Sequence, residues 1–265
     1  MPAPTQSSAV QSFPDFGGST TTRTVSLTGV TSNASIIVIV SGAYFSSAPT
    51  WSVDSGNYSP IHSNTYTGSG KFFVAFFRRD GVSAGSHSIP VTFSGPAYDS
   101  VYADVRAYEI SGLAPGAPDK LLTGGNTNSN PTTDASGTLT QASNMVIAAV
   151  SSQWAGIDTP ASFTNIYLDD NASGTPPNSH DWRDVSSTSS LSVSWGTLDV
   201  SGDWVAAAVV LKLVAALTGS GSPASGTTAI TGTGGITSPV IRPFISPVTG
   251  VRVSTTSVSG SGTVG

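Results

Sequence analysis

Short runs of β-branched and aromatic residues, broken every ten positions or so by clusters of Gly, Pro, Asn and Ser, recur through the first 215 residues. No apolar repeat of helical period accompanies them. Such a chain can bury its apolar groups only as strands joined by tight turns, which predicts an all-β sandwich. Strands are expected at Thr22–Leu27, Ser35–Gly42, Thr50–Val53, Tyr58–Asn64, Lys71–Arg78, His87–Phe93 and Val101–Ile110. A second series is expected at Thr138–Thr140, Asn144–Ser151, Ser162–Leu168, His180–Val185, Ser190–Trp195 and Trp204–Val214.

The two series resemble each other. Ile36, Val38, Val40 and Ser41 align with Val146, Ala148, Val150 and Ser151 at an offset of 110. Ile89, Val91 and Phe93 align with Leu191, Val193 and Trp195 at 102, and Tyr108–Ile110 with Leu211–Leu213 at 103. A repeat of this kind predicts tandem, jelly-roll-like sandwich units made by internal duplication. The expected organisation is a first unit over 1–115, a linker over 116–130, a second unit over 131–215 and an extended arm over 216–265. Ser192 and Ser194 alternate with Leu191, Val193 and Trp195, so that strand should bury one face. Trp204–Leu213 reads WVAAAVVLKL, apolar on both faces, and such a strand is covered on both sides; the halves are expected to pack on each other.

Composition narrows the function. There is no cysteine, so disulfides, thiolate nucleophiles and zinc–cysteine sites are excluded, and 265 residues suffice for a core without them. Only 9% of residues are charged, whereas Ser (45) and Thr (32) abound, giving a hydroxyl-rich surface. A net charge of -5 argues against nucleic acid as a partner. No apolar run approaches the roughly 18 residues of a membrane span, and MPAPTQSSAV has neither a basic nor an apolar leader region. A chain made without a secretory leader, with no membrane partner, is expected.

Chemistry-bearing patterns are sparse. Gly81-Val82-Ser83-Ala84-Gly85 spells G-x-S-x-G with His87 behind it, but a strand follows where a nucleophile elbow needs a helix, so a hairpin loop is expected. Glu109 is the lone Glu, and the Asp pairs Asp169–Asp170 and Asp181 with Asp184 sit where Asp closes turns. Asp104 and Arg106, two apart on a strand, share a face and are expected as a solvated ion pair. His62, His87 and His180 lack zinc-site spacing, and the stretches 126–134 and 169–171 lack the EF-hand pattern. Gly68-Ser69-Gly70-Lys71 lacks the remainder of a phosphate loop. No cofactor is expected. Trp51, Trp154, Trp182, Tyr44, Tyr58 and Tyr66 could stack on a sugar near strand ends, although anchoring a core is the commoner task of such rings.

Residues 216–265 differ from the rest, with two charges, Arg242 and Arg252, and one aromatic, Phe244. Pro239, Pro243 and Pro247 forbid helix, while Val240, Ile241, Phe244, Ile245 and Val248 are too many apolar groups to leave in water. Val251 and Val253 alternate with Arg252 and Ser254 as a short pairing segment. Pro239, Val240, Ile241, Phe244, Ile245, Val248, Val251 and Val253 are therefore the expected assembly interface, laid on neighbouring subunits.

The runs SIIVIVSGAY and IPVTFSG, the long strand that closes the first series, the second series ending DWVAAAVVLKL, and a Gly/Ser/Thr/Val tail with GTG and GSGTVG together resemble the β-sandwich accessory structural proteins of tailed bacteriophages. The resemblance extends over nearly the whole chain and is carried by strand patterns. It implies a non-enzymatic virion component assembled in the host cytoplasm, most often a head decoration protein and sometimes a tail or adsorption part. Its implied partners are capsid or tail proteins of the same virion and further copies of the chain. It carries no site motif that transfers to named residues. A carbohydrate-binding or adhesin module, with a host surface glycan as ligand, is the alternative.

Overall fold

The computed structural model describes residues 3–9, 11–13, 20–45, 47–94, 101–153, 156–169 and 176–214. Among them there is no α-helix, only one 3₁₀ turn at Asp54–Gly56. Fourteen strands run in chain order: β1 (Pro4–Ser7), β2 (Gln11–Phe13), β3 (Thr21–Val30), β4 (Ala34–Tyr44), β5 (Thr50–Val53), β6 (Ser59–Thr67), β7 (Lys71–Val82), β8 (Gly85–Ser94), β9 (Val101–Ile110), β10 (Lys120–Asn128), β11 (Asn144–Ser152), β12 (Thr164–Asp169), β13 (Asn178–Val185) and β14 (Gly202–Lys212). All seven strands expected in the first half form.

The strands make three antiparallel sheets. The outer sheet has the order β3-β8-β5, the middle sheet β1-β9-β4-β7-β6 with β2 also on β9, and the far sheet β10-β14-β11-β13-β12. Side-chain alternation assigns the layers. Ile36, Val38 and Val40 of β4 pack with Ile89, Val91 and Phe93 of β8. Ile37 and Ile39, one residue out of phase, turn the other way and pack with Ile147, Val205, Ala207 and Val209. A third core lies beyond the far sheet, where Val146, Ala148, Ala206 and Ala208 meet Leu191, Val193 and Trp195. The outer and middle sheets come from strands between Pro4 and Ile110 and the far sheet from strands between Lys120 and Lys212, and strands apolar on both faces join them through a shared core. All described residues belong to one compact unit, Met1–Leu217.

The middle and far sheets have corresponding strand orders: β1, β9, β4, β7 and β6 stand as β10, β14, β11, β13 and β12 do. Their registers differ. Ile36 lies opposite Glu109, whereas Val146 lies opposite Val210, two residues short of Lys212, the partner that the sequence offsets would give. A slip of two keeps every side chain on its own face.

Three local segments differ from expectation. The expected linker 116–130 carries β10, paired along its whole length with β14. Its Gly and Asn content disguised a strand that buries only Leu122 fully, and Gly124 is required there because a Cβ would stand 2.0 Å from the Thr132 carbonyl oxygen. The expected strand Ser190–Trp195 forms only an isolated bridge, Thr132 with Ser194. Its Val193 and Leu191 amides donate to the side-chain hydroxyls of Thr133 and Ser136, both at 3.0 Å, while their carbonyls accept from the Thr133 and Ser136 amides, both at 2.8 Å. Thr138–Thr140 likewise forms no regular strand, although Leu139 is buried there.

Candidate functional site

The densest described grouping of polar and titratable side chains lies around β13, whose alternate residues serve its two faces. Toward the shared core, β13 presents Asn178 and His180 to Ser41 of β4 and to Asp104 and Tyr108 of β9. The Tyr167 hydroxyl of β12 donates to Asp104 Oδ2 at 2.7 Å, and Asn178 Nδ2 donates to the same oxygen at 3.2 Å. The Arg106 guanidinium lies 4.4 Å over the Tyr167 ring and donates to the Ile166 carbonyl at 3.2 Å. Ser41, Asp104, Tyr108, Asn178 and His180 are all fully buried. Toward the third core, Asp181 accepts from Asn165 at 2.9 Å and from Ser179 and Trp195 at 2.8 Å each.

Within this cluster Ser41 Oγ is 3.1 Å from His180 Nε2, and Tyr108 Oη is 2.7 Å from His180 Nδ1. Burial raises the Tyr108 hydroxyl pKa, so it keeps its proton and donates to Nδ1; Nε2–H then donates to Ser41. The arrangement has the order of a nucleophile, a base and an orienting group, but two conditions of catalysis fail. Burial, with the Arg106 charge adding to it, holds the His180 pKa down at about 3. All three side chains have no solvent exposure. What the groups can do is join the halves: Ser41, Asp104 and Tyr108 come from one, Tyr167, Asn178 and His180 from the other. Asp181 is pushed up to about 6 by burial, against the lowering effect of its three hydrogen bonds.

The residues singled out in the sequence are dispersed. Ser83 lies in the turn between β7 and β8, as the hairpin reading expected, and His87 Nε2 donates to its backbone carbonyl at 2.9 Å. Gly81 and Gly85 both have positive φ there. Glu109 is buried, and its Oε1 accepts from the Thr31 amide at 2.7 Å. The expected solvated pair Asp104 and Arg106 does share a face, but that face packs against the far sheet, so Asp104 is buried. Asp181 stands within β13, in the strand expected at His180–Val185 and not at a turn, and Asp184, three residues on, points to the opposite face. His62 donates to the Leu122 carbonyl at 2.9 Å and stacks on Phe76; burial lowers its pKa while that hydrogen bond raises it. The Gly70 amide of the phosphate-loop-like stretch donates to the Asp203 carboxylate. Among the described residues no three His, Asp or Glu side chains converge as metal ligands would.

The aromatic candidates are mostly structural. Trp51 lies between Phe73 and Phe93, at 5.3 and 5.1 Å, Tyr44 and Tyr58 are buried, Trp182 packs partly on the shared core, and the Tyr66 hydroxyl meets Thr127 Oγ1 at 2.7 Å. Phe45, not singled out in the sequence, is 64% exposed and meets Tyr102 edge-on at 6.2 Å. The two line a groove of about 370 Å³ with Lys71 and Gln153. Trp154, Asp170 and the expected interface residues Pro239, Val240, Ile241, Phe244, Ile245, Val248, Val251 and Val253 lie outside the described residues. No protein-family model, curated protein or solved structure matches the chain.

Proposed function

We propose that this chain is a non-enzymatic structural protein of a virion, a capsid decoration or accessory subunit that covers or stabilises the particle through subunit contacts. One observation carries the reading. Among the described residues, the three cores are built between Val25 and Leu213, ahead of the fifty-residue C-terminal stretch. That stretch holds two charges against a proline-spaced series of large apolar groups, and such groups need a surface to cover them. A surface on another subunit gives both parts of the chain a use. The polar residues sealed between the halves fit the same role, because they fix a rigid block. On this reading the corresponding sheet orders reflect duplication of one unit, the partners are further copies and other capsid or tail proteins, and assembly takes place in the host cytoplasm.

The test is truncation after Leu217. The shortened chain is expected to melt as the full chain does and to fail to join its oligomer or particle. Phe244→Ala should weaken assembly by about 2 kcal/mol, the loss of one buried aromatic anchor. Normal assembly of the truncated chain would overturn the proposal.

The exposed Phe45 beside Tyr102, with Lys71 and Gln153 in the same groove, favours a second reading, an adsorption part that stacks a host surface glycan on those rings. Glycan-array binding lost on Phe45→Ala would support it, and binding indifferent to that change would remove it.

A further inference from the structure

The outer sheet has three strands, and the middle sheet beneath it has five in its main path. On one side β3 reaches as far as β9 and β1. On the other, β5 ends the outer sheet with only Thr50–Val53, and no described strand pairs with its free side. A groove of about 440 Å³ opens there between β5 and the edge strand β6. Phe73 and Phe77 of β7 and the exposed Ser63 and Thr65 of β6 line it. Tyr58 lines it too. Its side chain is 2% exposed, and its hydroxyl has no hydrogen-bond partner among the described residues. A buried O–H left so is unfavourable, and an acceptor brought from outside would relieve it.

We infer that this groove takes an extended peptide as a fourth strand on the free edge of β5, and that the peptide is the proline-free run Val248–Val258 of a second copy of the chain. The inference rests on the assembly reading above. Strand addition requires amide donors at alternate positions, which proline lacks. Within the C-terminal stretch Pro239, Pro243 and Pro247 leave the earlier apolar part with a full set of amide donors on one edge only, whereas the run that begins directly after Pro247 keeps every amide and contains the alternation Val251–Ser254. Val251 and Val253 then face Phe73 and Phe77, Arg252 faces water, and a peptide carbonyl accepts from the Tyr58 hydroxyl. The 35 residues from Val214 to Val248 span up to about 110 Å when extended. A body of this size is only about 45 Å across, so a neighbour is within reach.

The full-length chain is tested by sedimentation velocity over a concentration series, with near-UV circular dichroism to verify the fold. Ser63→Lys with Thr65→Lys, two exposed positions, and separately Val251→Glu with Val253→Glu, should each weaken self-association at least tenfold. Combining all four should restore it to within about threefold, because lysines then face glutamates across the new pair. Tyr58→Phe should weaken it by threefold or more. With p-benzoylphenylalanine in place of Ser63, crosslinks in a mixture of isotopically light and heavy protein should join position 63 of one copy to residues 248–258 of another. If the glutamate pair dissociates the assembly and the lysine pair does not, the arm docks elsewhere: the assembly reading stands and this inference falls. If neither pair changes association, or the wild-type chain is monomeric throughout, both fall. Crosslinks confined to one copy would show the segment folded onto its own body and would also overturn the inference.

Discussion

The Tyr108 hydroxyl and His180 Nδ1 lie 2.7 Å apart across the core that joins the two halves. A histidine in that place is held neutral by burial, and the fold then carries a proton linkage. The unfolded chain binds a proton at His180 from about pH 6.5 downward, while the folded chain resists until about pH 3, so this residue's contribution is lost as pH falls through that interval.

Asp181, next in sequence on the opposite face of β13, has the reverse sign. Its folded pKa is raised from 3.8 to about 6, so its contribution is present below 3.8 and lost as pH rises through 6. Between about pH 4 and 6 the two partly cancel. Asp181→Asn should therefore leave a protein whose unfolding free energy, read from urea titrations, falls steeply on acidification, with a slope approaching about 1.4 kcal/mol per pH unit. His180→Gln should leave one whose stability rises toward pH 4. Parallel profiles for the two variants would refute the assignment.

The glycines separate two kinds of constraint. A Cβ at Gly81 meets nothing within 4 Å, but φ is +62°, so Gly81→Ala should cost only the left-handed strain of about 1 kcal/mol. At Gly124 a Cβ would overlap the Thr132 carbonyl, and Gly124→Ala should cost more than about 3 kcal/mol. Thermal melting of the two variants side by side checks the order.

How much of this was legible follows from what sets each contact. Strands such as β4, β9 and β14 declare themselves by apolar runs and alternation, which are local properties. The strand β10 does not, since Gly124, Gly125 and its Asn residues spell a turn, and β14 recruits it through backbone pairing. The buried cluster was hidden for a different reason. Ser41 and His180 are 139 residues apart, and only the packing of one sheet on another brings them together. A weak signal existed in Ser41 and His180 as polar interruptions of strands that needed covering. Asp104 and Arg106 were correctly read onto one face, but alternation does not tell which face meets water.

Ser83 and His87 test the non-enzymatic reading. Because His87 is bonded to the backbone carbonyl of Ser83, Ser83→Ala keeps that contact, and its effect on stability should stay within about 0.5 kcal/mol. Assembly should be unchanged in Ser83→Ala and in His87→Ala. Esterase activity in the purified protein that disappears in Ser83→Ala would overturn the reading.

The outer layer over the far sheet offers the most local test of how hydroxyls shape this fold. Thr133 is buried, its amide donates to the Val193 carbonyl at 2.8 Å, and its Oγ1 accepts from the Val193 amide at 3.0 Å. One residue thus satisfies both backbone groups of Val193, and a regular strand is not needed to bury that side chain against Ala148 and Ala206. Thr133→Val preserves shape but leaves the Val193 amide without its acceptor, which should cost about 1–3 kcal/mol. Thr133→Ser keeps the oxygen and should recover most of that loss, less about 1 kcal/mol for the missing methyl. Hydrogen exchange at the Val193 amide reads the cause directly. It should accelerate in Thr133→Val and stay slow in Thr133→Ser, and equal protection in the two would show that packing, not the hydroxyl, holds this segment in place.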